Sequence, residues 1–408
     1  MDYNNALTLL QRHDQTQLLK YYQNLSNSEK EVLLKQIEML DFSCLNGIEN
    51  LDDKKAEVGE YSPVNALSLN DLAAQNQTYF NAGKNALLKG EVAAVLLAGG
   101  QGSRLGYDGP KGTYNIGINT NLSIFGAQFK NMTDVVNAVG CYFTVFVMTS
   151  EKNDAKTKEF FKLNNYFGFP EDRIHFFIQQ TSPACDFNGK ILLEDAGKIA
   201  LAPNGNGGWY SSLINSDCGK IINKENIKWL NVYSVDNVLQ RICDPVFIGA
   251  TLAGNYDCGA KVVKKSCPEE RVGLLVLENN KPTIVEYYEL DEKTANMRDS
   301  NGELTYRYGV ILNYLFAVDT LNKVVGKSLP YHYAKKIIPY YEDGKIIHPQ
   351  APNAYKTETL VVDMIKLMGN CLAVEVDREK EFAPVKNKTG VDSVESARLL
   401  LIKNGVSI

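Results

Sequence analysis

Histidine, paired cysteine, long apolar runs and a surplus of either charge are all scarce in this 408-residue chain. The four histidines, at 13, 175, 332 and 348, stand in no HExxH or triad-like context, which argues against a zinc hydrolase or a Ser/His acyl transferase. Eight cysteines, at 44, 141, 185, 218, 243, 258, 267 and 371, include no CxxC spacing and so no zinc or dithiol motif. They read as reduced thiols, mostly in the core. The longest apolar run, from Val92 to Ala98, is too short to span a bilayer. The opening Met1-Asp2-Tyr3-Asn4-Asn5 has neither the basic flank nor the apolar stretch of a secretion signal. The expectation is an unexported, cytoplasmic protein with no membrane partner. With 43 basic and 48 acidic residues the net charge is -5, so no global field draws the chain onto nucleic acid. Any phosphate chemistry must use local cations.

What is present is a large globular sequence, 44% apolar, long enough for two to three domains at the usual ~150 residues each. Residues 1 to about 45 carry leucines at helical spacing (Leu9, Leu10, Leu18, Leu19, then Leu33, Ile37, Leu40), and Ser26 with Glu29 reads as a capping box. The polar stretch 46–85 holds the expected domain join. From Glu91 onward, short β-branched runs alternate with amphipathic segments. Strands are expected at 92–98, 142–148, 175–178, 228–235, 260–264 and 272–277, and helices at 123–139, 152–163 and 245–253. Such alternation predicts an α/β fold, a mostly parallel sheet flanked by helices, with ligands at the carboxyl ends of its strands. A last unit follows residue 325, with a turn at Asp343-Gly344, helices near 358–368 and 393–403, and a strand at 371–376. The expected division is a helical region 1–85, a catalytic domain 86–325 and a small α+β domain 326–408.

The densest signal is Leu97-Ala98-Gly99-Gly100-Gln101-Gly102-Ser103-Arg104-Leu105-Gly106, then Gly109-Pro110-Lys111-Gly112, directly after the first strand. Glycines at 99, 100 and 102 remove the side chains that would keep a polyphosphate from backbone N–H groups. Arg104 can fork two phosphate oxygens, and Lys111 offers a compact charge. Two common phosphate loops are excluded. Gly100-x-Gly102-x-x-x-Gly106 is one residue too long for the dinucleotide fingerprint, and Lys111 precedes its glycine, unlike the lysine of GxxxxGK[ST]. Further on, Val232-Tyr233-Ser234-Val235-Asp236-Asn237 leaves an acid at the end of an apolar strand. Asp236 is there either as a ligand to a hard cation or as the N-cap of a helix over 237–242.

The run LAGGQGSRLG…PKG resembles the signature loop of the eukaryotic UDP-N-acetylhexosamine pyrophosphorylases, and the similarity continues from the N-terminal helices to Lys386. The resemblance implies a Rossmann-like catalytic domain of nucleotide-diphospho-sugar transferase type. It implies transfer of uridylate from UTP to N-acetylglucosamine 1-phosphate, with Mg²⁺ (or Mn²⁺) held by Asp236. It assigns the nucleotide to Leu97, Ala98, Gly99, Gly100, Gln101 and Gly102, the uracil to Gln180 and Gly205, and the sugar to Asn206, Gly273, Glu286 and Asn313. Arg104, Lys111 and Lys386 become the catalytic cations. Departures from the pattern are Leu360 and Val362, where many relatives carry phenylalanines beside the N-acetyl pocket, and a missing lysine within 117–122. The departures leave a UDP-glucose or broad UDP-sugar pyrophosphorylase as the alternative within the class, and a non-catalytic UDP-sugar sensor as the alternative outside it.

Overall fold

The computed structural model describes residues 1–48, 60–327 and 329–408. The chain forms two compact units: Met1–Glu57 with Gln180–Gly208 and Ser328–Leu360, and Val58–Gln179 with Trp209–Lys327 and Val361–Ile408.

The larger unit is built on one sheet. In spatial order its main strands are Ala66–Leu67, Cys371–Glu375, Cys258–Lys264, Tyr308–Ala317, Trp229–Ser234, Val92–Leu97, Val145–Thr149 and Ile174–Ile178. All neighbours in this order are parallel except Tyr308–Ala317, which runs against the strands on either side of it and also against Leu274–Glu278. Mostly parallel sheets are covered on both faces, and the strand Val92–Leu97 is accordingly apolar and buried at every position. The expected strands are thus present within a few residues. The antiparallel strand Tyr308–Ala317 is an addition to them, because Tyr308, Asn313 and Tyr314 break its apolar run. Within it Leu312 takes φ 53°, and the pairing with Cys258–Lys264 slips between Ala260 and Val262. This is a bulge.

Helix Ile124–Val139 opens on a Ser123 side chain that accepts from Gly126 N–H, and it closes on Gly140 at φ 87°. Helix Leu69–Leu88 packs on helix Pro245–Ala253 at backbone contact. A methyl on Gly83 would stand 1.9 Å from Pro245 O, and one on Gly249 1.9 Å from Tyr79 O. Helix Leu69–Leu88 belongs to the larger unit, so the two units part within the polar stretch 46–85, of which residues 49–59 lie outside the described residues. The segment after 325 is likewise shared between the units rather than forming one of its own.

The smaller unit holds the N-terminal helices Tyr3–Arg12 and Asn27–Glu38, whose Leu10, Leu33 and Ile37 share a core with Ile191, Leu193 and Ile199. The Ser26–Glu29 capping box forms as expected. Asp343 and Gly344, both at positive φ, turn the hairpin Tyr340–Glu342 to Lys345–Ile347.

Candidate active site

The strand Val92–Leu97 ends in the glycine-rich loop, and three separate restraints shape it. Gly102 N–H donates to Gly109 O at 3.0 Å and Lys111 N–H to Gly100 O at 3.1 Å, which folds the loop back on itself. Asn153, fully buried, donates to Ala98 O at 3.0 Å and accepts from Ser150 N–H at 2.8 Å. Tyr107 fills the bend, its hydroxyl 2.8 Å from Thr113 Oγ1, and a methyl on Gly102 or Gly109 would meet its ring at 2.8 Å. Among the described residues no protein acceptor takes the N–H of Gly99, Gly100 or Gln101. Leu97 and Ala98 are buried behind them. The result is a bare bend whose N–H donors are not used by the described residues, the form that an anion needs.

Gly99 has a partner that the sequence reading passed over. A methyl there would stand 2.6 Å from Gln179 Oε1, so a larger residue would have to displace that amide. Gln179 itself is anchored by its N–H to Thr149 O at 2.8 Å.

Lys111 is 6% exposed and donates to Asp236 Oδ1 at 2.5 Å. Burial holds its ammonium below the usual lysine range, Asp236 works against that, and the positive charges of Arg104 and Lys386 add to it. Arg104 and Lys386 therefore each lie within electrostatic reach of Lys111, Arg104 exposed and Lys386 half-buried against Asp392 Oδ2 at 3.0 Å. Gly112 must be glycine for this to happen, since any Cβ would enter the Phe125 ring at 2.1 Å.

Asp236 caps no helix; residues 237–242 form none. Its turn is instead braced from below by two glutamines, Gln128 and Gln240, whose amides both donate to Ser234 O and Asn237 O. Gln128 had a legible signal, being a polar residue on the apolar stripe Phe125, Phe129 and Met132. Gln240 had none. Asp236 Oδ2 accepts no hydrogen bond from the described residues. No cluster of three or more His, Cys, Asp or Glu able to hold a metal occurs among them. A single carboxylate suits Mg²⁺, which takes one or two protein oxygens and completes its shell with waters and substrate phosphates.

At the same end of the sheet, by strand register, Gly273, Glu286 and Val310 come together. Val310 N–H donates to Gly273 O at 2.9 Å, and a methyl on Gly273 would stand 3.4 Å from Glu286 Oε1 and 3.6 Å from Val310 Cγ2. Asn313, also expected on the sugar side, lies deeper in the same strand. It is fully buried, accepting from Asn231 Nδ2 at 2.7 Å and donating toward Gln240 Oε1 and Arg241 O. Along the strand Gly309, Ile311 and Asn313 are buried while Val310, on the alternate face, reaches the Gly273 side.

In the smaller unit, Gln180 O accepts from Asn204 N–H at 3.2 Å, and its side-chain oxygen lies 3.5 Å from where a Gly208 Cβ would stand. Gly205, at φ 83°, pairs with Thr359, while Gly207 N–H donates to Thr359 O at 2.8 Å. The loop holding Gly205 and Asn206 is therefore stitched to the segment that ends at Leu360, not a free hairpin.

The profile of the family described as UTP–glucose-1-phosphate uridylyltransferase matches residues 46–406. The chain belongs to that family. It is 35% identical to the UDP-N-acetylglucosamine pyrophosphorylase of Saccharomyces cerevisiae, over 96% of this chain and 88% of that one. It is 34% identical to the human UDP-N-acetylhexosamine pyrophosphorylase-like protein 1, over 96% of this chain and 82% of the other. The crystal structure of the Trypanosoma brucei uridine diphosphate N-acetylglucosamine pyrophosphorylase in complex with inhibitor superposes with TM-score 0.83 at 28% identity. That match covers 98% of this chain and 84% of the other. Among the described residues of this uridylyltransferase-family chain, no helix is long and apolar enough to cross a membrane.

Proposed function

We propose that the protein transfers uridylate from UTP to N-acetylglucosamine 1-phosphate, releasing pyrophosphate. The observation that carries this reading is the buried Lys111, paired with Asp236 beside a bare glycine bend and within the field of Arg104 and Lys386. A sensor needs base and sugar contacts; it does not need three cations on a triphosphate. The relatives' names supply the sugar.

The attacking group is an ionised phosphate oxygen that the sugar brings with it, so no protein nucleophile is required. A bond forms from that oxygen to the α-phosphorus as the bond to the β-phosphate oxygen breaks, and pyrophosphate leaves with the electron pair. The chain supplies alignment, worth ~7 to 11 kcal/mol in favourable cases, and charge stabilisation. Lys111 and Arg104 face the crowded phosphate oxygens, and Lys386 adds a third positive charge. The ion pair with Asp236 stores Lys111 in place before substrate arrives. Mg²⁺ on Asp236 would neutralise phosphate charge and polarise the α-phosphorus. Gln180 and Gly205 are assigned to the uracil, Asn206, Gly273, Glu286 and Asn313 to the sugar.

Incubation with UTP, Mg²⁺ and, separately, the 1-phosphates of N-acetylglucosamine, N-acetylgalactosamine and glucose tests the reading by pyrophosphate release. Release is expected to be fastest with N-acetylglucosamine 1-phosphate. Release with glucose 1-phosphate alone would move the protein to UDP-glucose synthesis, and release with none would leave a binding protein.

A further inference from the structure

The most deeply buried charge outside the substrate-facing cluster is Lys261, with a fully inaccessible side chain. Its ammonium donates to Glu381 Oε2 at 2.6 Å, to Asp244 Oδ2 at 3.1 Å and to Arg241 O at 3.0 Å. Arg241 N–H also donates to Glu381 Oε2, at 3.2 Å. From Glu381 the bonding runs without a break toward Asp236. Asn237 Nδ2 donates to Glu381 O at 2.7 Å, and Asn237 Oδ1 accepts from Ala383 N–H at 2.9 Å. Val238 N–H then donates to Ala383 O at 3.2 Å and Val385 N–H to Asp236 O at 2.8 Å. Pro384 faces Asn237 in this pairing and has no N–H to give, so the register of the segment depends on the bonds flanking it. Lys386 is the next residue.

Burying three charges is a poor way to gain stability, because well-packed apolar side chains do as well or better. What such a cluster does supply is a single allowed register. A slip of one residue along 381–386 would strand the Lys261 ammonium and turn Lys386 to the opposite side of its extended segment.

We propose that the buried Asp244–Lys261–Glu381 cluster is the anchor that fixes the register of Ala383–Val385 against Asp236 and Val238 and so places Lys386, which makes Lys261 and Glu381 positioning residues for uridylyl transfer. The proposal rests on the reading of Lys386 as a cation of the transfer site. E381Q keeps the shape and removes the charge; N237A cuts two links of the chain without touching a charge and serves if E381Q does not fold. Either is expected to lower kcat by about tenfold, with KM for UTP and for the sugar phosphate within about twofold of the parent. The same substitution made in K386A is expected to lower kcat by less than about twofold further, because the group being positioned is gone. Amide hydrogen exchange at Val385 is expected to speed up in E381Q, and this is readable without turnover.

Additive losses in the double variant, unchanged kcat in E381Q and N237A, or unchanged exchange at Val385 would each overturn the anchor role. K386A with parental kcat would overturn the role of Lys386 itself, so the two failures are told apart.

Discussion

Lys111 combines two requirements that conflict elsewhere in the chain, being a cation that must meet phosphates and a residue only 6% exposed. Asp236 resolves the conflict by holding the charge in place inside the fold. Lys111→Met is expected to lower kcat by about 10²- to 10³-fold, the loss typical of removing one group that stabilises developing charge, while sugar-phosphate affinity changes little; steady-state kinetics check this. His175 offers a separate test, on stability. Burial holds its imidazole below the usual value of 6.5, against the opposing pull of Glu225 and Asp172, and its buried Nε2 has no partner. The neutral form is thus favoured in the folded state. Its contribution is complete above pH 6.5 and is lost as pH falls from there through the depressed folded value. The melting temperature of His175→Phe is expected to fall less than the parent's between pH 7.5 and 5.5, since phenylalanine takes no proton beside Phe146.

Among elements, the crossing of helices Leu69–Leu88 and Pro245–Ala253 depends on two glycines that bring backbone against backbone. Alanine at Gly83 or Gly249 cannot be absorbed by a rotamer change, because the atom met is a carbonyl oxygen at 1.9 Å in each case. Each substitution is expected to destabilise the chain by about 1–3 kcal/mol, measured by denaturant unfolding. The turn from Ser150 into helix Asp154–Leu163 has a functional duty as well as a structural one, because Asn153 ties it to the glycine loop. Asn153→Ala leaves Ala98 O and Ser150 N–H without that partner. It is expected to cost about 1–3 kcal/mol and to raise KM for UTP about tenfold as the loop loosens.

Across the whole molecule, the alternating pattern from Glu91 onward was enough to expect a mostly parallel sheet and to place the chemistry at its carboxyl ends, because burial on both faces demands continuous apolar strands. The glycine loop was legible for a local reason: closely spaced glycines with Arg104 and Lys111 have few other uses. What could not be read was the division of the chain. Residues 180–208 and 329–360 join the N-terminal helices, and no local pattern shows which non-adjacent segments will share a core.

Residue types and their spacing determined by themselves the strand-and-helix alternation, the anion-binding bend and the cations beside it, since each is set by neighbours within a few positions. Only the tertiary structure decided that Lys111 is buried on Asp236, that Gln128, Gln240 and Asn153 brace the two loops, and that Asn313 belongs to the interior while Val310 stands beside Gly273 and Glu286. Those outcomes turn on pairing between segments far apart in the chain, and the linear order of residues carries no trace of which segments meet.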